Sequence, residues 1–323
     1  MIKVEGLTKR YARNVAVDNI SFDVEKGQIV GFLGPNGAGK TTTMRVLTCF
    51  LPPTGGKAEV AGFDVIEQPM EVKRRIGYLP ETPPLYPEMD VAEYVEFVGR
   101  LKGVPKSDLA RRVNEVCDRC NVGDMKHRLI GKLSKGYKQR VGLASAIIHN
   151  PDVLILDEPT AGLDPEQRKE TLGLIRELAG EHTIILSTHI LPEVEQTCQK
   201  VIIISRGKLV ATDTMENLNS RLRGAELVAV EVEARSGSLS RETVQQRLEQ
   251  LSGVSKVTYR ESRQGRLAFH VESMQGKSVR PDIARSVVQA DWNLTELHSA
   301  GLSLEEIFLQ LTSADKTAPG GAQ

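Results

Sequence analysis

The pattern of apolar and polar positions predicts a parallel sheet in the first two thirds of the chain. Four short and almost wholly apolar runs are typical of buried strands: QIVGFLG (28–34), DVLILDE (152–158), TIILSTH (183–189) and KVIIIS (200–205). Helical patterns follow these runs, and strands that alternate with helices indicate crossover connections. One predicted helix runs from about 39 to 50 and ends before LPPTGG, because prolines and glycines stop it.

Two other segments of this part have a different character. Residues 1–33 predict short strands, and residues 80–150 are dominated by helical patterns, as in an inserted helical subdomain. The predicted fold class is therefore α/β, with a parallel-sheet core, a strand-rich start and a helical subdomain. We assign residues 1–220 to this domain.

A second unit is predicted after residue 220. LVAVEVEA alternates like a strand, SRETVQQRLEQL is helical with Ser240 as its N-cap, and the following runs complete the order βαββαβ. This order predicts a small ferredoxin-like α+β domain over residues 221–313, although the order of strands within the sheet stays open. SLEEIFLQLT (303–312) predicts a last helix, and residues 314–323 a flexible tail.

Composition narrows the class of protein. Lys+Arg and Asp+Glu both number 42, so no cationic arm suggests a nucleic-acid partner. No apolar run approaches the roughly 18 residues of a membrane span, and the start lacks the apolar core of a secretory signal, so we expect no span of its own. Cys117 and Cys120 form CDRC without a second Cys or His pair at metal-ligand spacing. We expect ordinary reduced thiols, and the alternative is an incidental redox pair.

The run GPNGAGKTT carries the first chemical signal. Residues Gly34 to Thr41 fit G-x-x-x-x-G-K-[ST] between a predicted strand and a predicted helix, which is the context of a phosphate-binding loop. Glycines let backbone N–H groups approach phosphates, Lys40 neutralises the β- and γ-phosphates, and the Thr41 hydroxyl can bind Mg²⁺. The candidate ATP-binding residues here are Gly34, Pro35, Asn36, Gly37, Ala38, Gly39, Lys40, Thr41 and Thr42.

The run VLILDEPT supplies two carboxylates. Asp157 ends a buried strand at the sheet edge where α/β proteins bind ligands, so it can hold Mg²⁺. Glu158 follows directly and can deprotonate the attacking water. The run LSKGYKQR (133–140) then predicts a second helix start, where Ser134, Lys135 and Gly136 form another anion cradle.

These motifs, together with LILDEPTAGLDP and ILSTH, occur in an order that resembles the ATP-binding cassette (ABC) ATPases over roughly residues 1–215. Within that family the chain most resembles cassettes of ABC-2-type exporters, including the gliding-motility-like subgroup. The resemblance implies a P-loop NTPase cassette with a parallel-sheet core, an antiparallel β subdomain and a helical subdomain. The resemblance implies that Tyr11 stacks on adenine, that Asp164 lies in the loop crossing to a partner cassette, and that His189 is the switch histidine near the γ-phosphate.

Two departures from the family pattern stand out. Glu81 replaces the glutamine that normally meets Mg²⁺, so metal handling or coupling is expected to differ, unless Glu81 is only a solvated loop acid. In the signature, Lys135 and Tyr137 replace glycine and glutamine, while Ser134 and Gly136 remain, so anion binding should persist.

The resemblance implies an ATP-hydrolysing subunit that forms a head-to-tail homodimer around two ATP molecules. There the signature loop of one chain closes over the γ-phosphate of the other. It also implies a separate membrane permease, so the chain is expected to be cytoplasmic and peripheral on the membrane. We expect four apolar or aromatic side chains after Glu81 to be exposed: Tyr86, Met89, Tyr94 and Phe97. Some of them should line a groove that binds a permease helix. Alternatively, half of them belong to the core of the helical subdomain.

Two other classes stay open at this point. A soluble ABC ATPase acting on ribosomes or nucleic acid is disfavoured by the single cassette, the neutral charge and the lack of a long coiled-coil insertion. A small-molecule P-loop kinase should lack the signature and switch motifs. The cargo is not encoded here, because the permease selects it.

Overall fold

The computed structural model describes residues 1–12, 14–214, 217, 227–235, 239–263, 266–274 and 277–299. The chain divides into two compact units, Met1–Thr214 (unit 1) and Met215–Gln323 (unit 2). The predicted last helix at 303–312 and the predicted tail at 314–323 lie outside the described residues. Within the described ranges, no helix combines the length and apolar character needed to cross a membrane.

Unit 1 contains two sheets and a set of helices. Its strands are β1 (Ile2–Tyr11), β2 (Asn14–Val24), β3 (Ile29–Leu33), β4 (Gly55–Val60), β5 (Phe63–Asp64), β6 (Ile76–Leu79), β7 (Val153–Asp157), β8 (Thr183–Thr188), β9 (Lys200–Ser205) and β10 (Lys208–Thr214). Its helices are α1 (Lys40–Leu47), α2 (Pro69–Arg75), α3 (Val91–Leu101), α4 (Lys106–Arg119), α5 (Lys135–Ile147), α6 (Pro165–Glu177) and α7 (Leu191–Thr197), with 3-10 turns at Gly123–Met125 and Ile130–Lys132.

The central sheet has the strand order β10-β9-β3-β8-β7-β6, with β10 antiparallel to β9 and the other neighbours parallel. Every residue of β3, β7 and β8 is buried, because helices cover both faces of a parallel sheet. Leu33 pairs with Thr188, and Asp157 with Ser187, so the carboxyl ends of these three strands meet at one edge. This confirms the predicted parallel core.

The second sheet of unit 1 is antiparallel, in the order β2-β1-β4-β5. The prediction of short strands is wrong here, because β1 has 10 residues and β2 has 11. Their register shifts three times between Val4 and Arg10, which keeps the strands paired while the chain bends. Polar residues on the exposed face interrupt the apolar pattern, so the sequence understates the strand length.

The helical subdomain comprises α3, α4 and α5, as predicted. Helix α3 begins at a capping box in which Asp90 accepts a hydrogen bond from the Glu93 backbone and Glu93 accepts one from the Asp90 backbone. Helix α5 begins after Ser134, whose hydroxyl accepts from the Tyr137 backbone at 3.4 Å. Cys117 and Cys120 are buried free thiols, consistent with the expectation of reduced cysteines.

Unit 2 contains β11 (Leu227–Ala234), α8 (Arg241–Glu249), β12 (Val254–Arg263), β13 (Arg266–Ser273), α9 (Arg280–Gln289) and β14 (Trp292–Ser299). The antiparallel order β12-β13-β11-β14 confirms the ferredoxin-like arrangement. Alternate residues such as Val228, Val230 and Phe269 form the core with the two helices. Ser240 occupies the N-cap position of α8, as predicted, and its hydroxyl donates to the Glu242 carboxylate and accepts from no backbone N–H of the described residues.

Candidate nucleotide site

The phosphate-binding loop connects β3 to α1, as the sequence predicts. Gly39 occupies the N-cap position of α1 with φ 107°, and a Cβ added there would lie 2.5 Å from the Ala16 carbonyl oxygen. Only glycine fits this backbone without strain. No side chain caps the start of α1, so its first N–H groups and the helix dipole can serve an anion.

Lys40 is a buried cation at the centre of this loop. Its side chain is 6% exposed, and its Nζ donates to the carbonyl oxygens of Gly34 at 2.8 Å and Pro35 at 3.3 Å. The same Nζ lies 3.3 Å from Glu158 Oε1. A buried charge needs partners of this kind, so Lys40 is held between the loop carbonyls and the carboxylate that follows β7.

Asp157 ends β7 and is 1% exposed. The Ser187 hydroxyl donates to its Oδ1 at 2.8 Å, whereas its buried Oδ2 makes no hydrogen bond within the described part of the chain. Burial raises the pKa of Asp157, and the nearby hydroxyls of Ser187 and Thr41 partly oppose that shift. A buried carboxylate oxygen without a partner, close to a threonine hydroxyl, fits the oxygen ligands that Mg²⁺ prefers.

Three or more His, Cys, Asp or Glu side chains with metal-site geometry are not found together among the described residues. Mg²⁺ in nucleotide sites needs fewer protein ligands, because phosphates and waters supply the others. The pair Asp157 and Thr41 is therefore a sufficient protein contribution.

Glu158 has an unusual backbone and a well-defined carboxylate. Its φ is 50°, a left-handed conformation that costs a non-glycine residue about 1–2 kcal/mol. Its N–H donates to the Ser187 carbonyl at 2.9 Å, and its carboxylate lies 2.9 and 3.0 Å from His189 Nδ1. Strain of this kind persists only where surrounding contacts hold it, and it is concentrated at functional sites.

A cavity of about 540 Å³ opens in front of the loop. Its walls are Asn14, Val15, Ala16, Asn36, Gly37, Ala38, Gly39, Lys40, Thr41, Thr42, Glu81, Glu158, Ala161, His189, Arg206 and Gly207. Most of the predicted phosphate-binding residues thus face one space, together with Glu81 and the three predicted catalytic side chains, Lys40, Glu158 and His189. The predicted metal ligand Asp157 is not among the walls. Gly34 and Pro35 contribute their carbonyl groups to Lys40 instead.

Tyr11 and Asp164 lie outside the walls of this cavity. Tyr11 is 41% exposed at the end of β1, opposite Asn14 in the register, and Lys9 Nζ lies 5.3 Å from its ring centroid. Asp164 caps α6, since its Oδ1 accepts from the Gln167 backbone at 2.9 Å. Adenine stacking by Tyr11 and a crossing role for Asp164 stay predictions.

The signature loop also lies outside the walls of this cavity. The amine of Lys135 lies against Gly162: a Cβ added to Gly162 would be only 2.2 Å from Lys135 Nζ. A Cβ added to Gly136 would lie 2.2 Å from Gln167 Oε1, and Arg140 forms an ion pair with Glu170. Within one chain, therefore, the loop packs against the start of α6 and does not reach the lysine of the phosphate loop.

A second, more apolar cavity of about 440 Å³ lies beyond β6. Its walls include Phe50, Tyr78, Pro83 and Tyr94. Tyr86 and Phe97 are 46% and 37% exposed, as expected. The expectation that Tyr94 is exposed is wrong: it is 5% exposed, because it lies on the inward face of α3 and its hydroxyl donates to the Pro84 carbonyl.

Comparison with known proteins gives the family. A family model described as "ABC transporter" matches residues 17–161. The uncharacterized ABC transporter ATP-binding protein YxlF of Bacillus subtilis (strain 168) is 34% identical over 315 residues, which cover 97% of this chain and 100% of that protein. The chain belongs to the ABC transporter ATP-binding proteins. The family, the fold class and the ATPase assignment made from the sequence are thereby confirmed.

A second relative and a solved structure agree with this assignment. The daunorubicin resistance ATP-binding protein DrrA3 of Streptomyces coeruleorubidus is 33% identical over 316 residues, which cover 98% of this chain and 96% of that one. A solved ATP-binding subunit of an ABC transporter is 28% identical, with a TM-score of 0.64, and covers 69% of this chain and 93% of its own. The similarity of this ABC transporter ATP-binding protein to YxlF and to DrrA3 therefore extends over both units.

Sequence reasoning missed several residues of the ABC site. Arg206 and Gly207 line the cavity from the turn between β9 and β10, and the Gly207 N–H donates to the Ala38 carbonyl. The dipeptide Arg-Gly signals a turn, but nothing local places that turn beside the phosphate loop. Ser187 was missed because a serine inside TIILST has no distinguishing pattern.

Proposed function

We propose that this ABC transporter ATP-binding protein binds Mg²⁺ and ATP in the cavity of the phosphate loop, with Glu158 as the general base of hydrolysis. The observation that carries the proposal is the position of the Glu158 carboxylate, between the Lys40 amine at 3.3 Å and the His189 ring at 2.9 Å. A carboxylate there can accept a proton from a water that attacks the γ-phosphate.

Each side chain then has one task. Lys40 exchanges its neutral carbonyl partners for the β- and γ-phosphate oxygens, which are charged and therefore form stronger hydrogen bonds with its amine. Thr41 at the cavity wall and the Asp157 carboxylate buried beside it would hold Mg²⁺, which neutralises phosphate charge. Glu81 faces the cavity as an additional carboxylate. His189 orients the Glu158 carboxylate and lies at the cavity wall beside the site of the γ-phosphate.

The complete site requires a second copy of the chain. The walls of the cavity include none of the signature residues Ser134, Lys135 and Gly136, although these residues begin a helix and offer a second anion-binding end. A head-to-tail homodimer brings the signature loop of one chain over the phosphates bound by its partner. Two ATP molecules are then enclosed between two chains.

This arrangement can be tested by ATP-driven dimerisation. The parent variant is Glu158→Gln, which is expected to keep ATP and so accumulate the dimer. Gly136→Asp in this background places a carboxylate toward the partner's phosphates, and like charges about 4 Å apart repel by about 4 kcal/mol at an effective dielectric of 20. Size-exclusion chromatography should show a dimer for the parent and a monomer for the double variant.

Gly136→Ala is the necessary control, because any Cβ at this position displaces the Gln167 side chain. It should dimerise with ATP like the parent, since it adds no charge. If Gly136→Asp dimerises as well as Gly136→Ala, the loop does not meet phosphate in the partner. If Gly136→Ala is monomeric too, packing against Gln167 explains the loss, and the charge argument fails.

A separate membrane permease completes the proposed assembly. The cavity lined by Phe50, Tyr78, Pro83 and Tyr94, with Tyr86 and Phe97 exposed nearby in the sequence, offers an apolar surface for a permease helix. The name of the Streptomyces relative refers to drug resistance, which supports an ABC-2-type exporter and a place on the inner face of the cell membrane. Co-purification of a polytopic membrane protein with the tagged chain from detergent tests the permease proposal. If Phe97→Asp abolishes this co-purification, the permease binds at the surface that includes Phe97.

A further inference from the structure

One buried carboxylate of unit 1 has no part in the mechanism so far. Glu193 lies in the first turn of α7 and is 1% exposed. Its Oε1 accepts from the Thr160 hydroxyl at 2.6 Å, and its Oε2 accepts from the Thr188 hydroxyl at 2.9 Å. Both oxygens of one buried acid therefore accept from hydroxyl groups of two different segments, the turn after β7 and the end of β8.

The proposed catalytic side chains lie in the same two segments: Glu158 directly follows β7, and His189 directly follows β8. Thr188 directly precedes His189, and its Oγ1 also accepts from the Ile190 N–H at 3.1 Å, so the hydroxyl braces the backbone on both sides of the histidine. Thr160 lies two residues after Glu158 in the turn where the Ala161 N–H donates to the Glu158 carbonyl at 3.0 Å. Glu193 thus ties the loop of Glu158 to the loop of His189.

A third element meets the same carboxylate. Arg168 Nε, on α6, lies 3.5 Å from Glu193 Oε1. The cation balances the buried acid and joins the helix that Asp164 caps to this cluster. The carboxylate therefore connects the ends of β7 and β8 with the start of α6.

We propose that Glu193 is a positioning residue for ATP hydrolysis, which fixes the relative placement of Glu158 and His189 through the hydroxyl groups of Thr160 and Thr188. This inference rests on the proposed roles of Glu158 and His189. Glu193 is not among the walls of the nucleotide cavity, so it touches neither the phosphate loop nor its ligand directly. Its loss should therefore affect turnover and leave ATP binding nearly unchanged.

The left-handed backbone of Glu158 makes this placement sensitive. A residue with φ of 50° keeps that conformation only while its neighbours hold it. The Ser187 carbonyl holds the Glu158 N–H, and the Thr160 hydroxyl on Glu193 anchors the chain immediately afterwards. Release of the second anchor lets the carboxylate leave the position opposite His189, and small misplacements of a catalytic base lower rates strongly.

The test uses two substitutions that separate the hydroxyl from the packing. Thr188→Val keeps the shape of the side chain and removes the hydroxyl, whereas Thr188→Ser keeps the hydroxyl and removes a methyl group. In the purified full-length chain, Thr188→Val should lower kcat at least tenfold with the ATP dissociation constant within about threefold of wild type. Thr188→Ser should keep kcat within about threefold. If packing alone mattered at this fully buried site, serine would be the more harmful change.

Further variants keep the inference testable. At position 160, as at position 188, the serine variant should have a higher kcat than the valine variant. The comparison of Thr160→Val with Thr160→Ser tests the positioning role if Thr188→Val does not fold. Glu193→Gln should also lower kcat at least tenfold, because an amide has one acceptor oxygen for two hydroxyl groups. Glu195→Gln, an exposed change on the same helix, is the matched control and should not alter kcat.

Two results separate this inference from the proposed function. Hydrolysis retained in Glu158→Gln would overturn the catalytic assignment itself. Hydrolysis lost in Glu158→Gln but unchanged in Thr188→Val, Thr160→Val and Glu193→Gln would overturn only the positioning role. A valine variant that binds ATP more than about threefold more weakly, or a serine variant as slow as valine, would also contradict it.

Discussion

The two units bury different kinds of side chain. Among the described residues, the buried charged side chains Lys40, Asp157, Glu158 and Glu193 all belong to unit 1. In the described part of unit 2, the buried polar side chains are the hydroxyl residues Ser273 and Ser286. Both units are built on a sheet with helices, yet within the described ranges only the parallel sheet carries buried charge at its edge.

This difference follows from the way each sheet is covered. The parallel strands of unit 1 are buried on both faces, so charged residues beyond their carboxyl ends lie in a partly enclosed space. The antiparallel sheet of unit 2 keeps polar residues such as Glu231 and His270 on the face opposite its apolar core. Burial of an ion without a partner costs several kcal/mol, so buried charges occur mainly where partners hold them. Such clusters of buried, paired charges are concentrated at functional sites, which supports a catalytic site in unit 1.

The largest effect on ATP binding is expected at Lys40. Lys40→Ala should weaken ATP binding about 10- to 100-fold, since hydrogen bonds from a charged group contribute about 1.5–3 kcal/mol, and turnover should fall with it. Isothermal titration with ATP, with exposed Lys26→Ala as the control, measures the change. Normal binding would mean that the amine does not meet phosphate.

Glu81 should give a smaller effect that appears in the metal dependence. Glu81→Gln removes a carboxylate from the cavity wall, so the Mg²⁺ concentration for half-maximal hydrolysis should rise about threefold while the maximal rate stays similar. The effect is modest because Glu81 is exposed and screened. Titration of Mg²⁺ at fixed ATP, with Glu88→Gln as control, distinguishes this role from that of a solvated loop acid.

How much could be predicted from the sequence depends on how local each signal is. Gly39, Lys40 and Asp157 follow apolar runs of strand length, so their place at the sheet edge could be inferred directly. The contact between Glu158 and Lys40 follows from the same topology. Glu193 could not be found this way, because LPEVEQT contains two glutamates and no local feature shows that one is buried and the other exposed.

One partly buried histidine, His149, should also make unit 1 sensitive to acid. Burial, with Lys102 nearby, lowers the pKa of His149 to about 4, and its Nε2 lies 3.0 Å from the Ile76 carbonyl. Between pH 6.5 and 4, His149 therefore binds a proton in the unfolded chain but stays neutral in the folded chain. Stability should fall as pH falls, by at most about 1.4 kcal/mol per pH unit from this group.

Replacement of His149 removes this proton linkage. Urea unfolding of His149→Gln should depend less on pH between 6.5 and 4 than unfolding of the wild type. His298→Gln, at a side chain that is 55% exposed in unit 2, should leave the wild-type dependence in place. An identical pH dependence in wild type and His149→Gln would contradict the role of burial at this histidine.

The smallest effect is expected from removal of unit 2. We propose that residues 1–220 suffice for nucleotide binding, because every residue that lines the nucleotide cavity belongs to unit 1. A chain without residues 221–323 should bind ATP within about twofold of the full-length protein, which calorimetry can measure. A folded truncation that no longer binds ATP would show that unit 2 contributes to the site.

The central claim is that Glu158, held between Lys40 and His189, accepts the proton in ATP hydrolysis, and one measurement tests it directly. Glu158→Gln keeps the size of the side chain but not its basicity, so it should bind ATP within about threefold of wild type and hydrolyse it at least 100-fold more slowly. Exposed Glu177→Gln should hydrolyse ATP normally. Single-turnover hydrolysis by Glu158→Gln within about threefold of the wild-type rate would contradict the account.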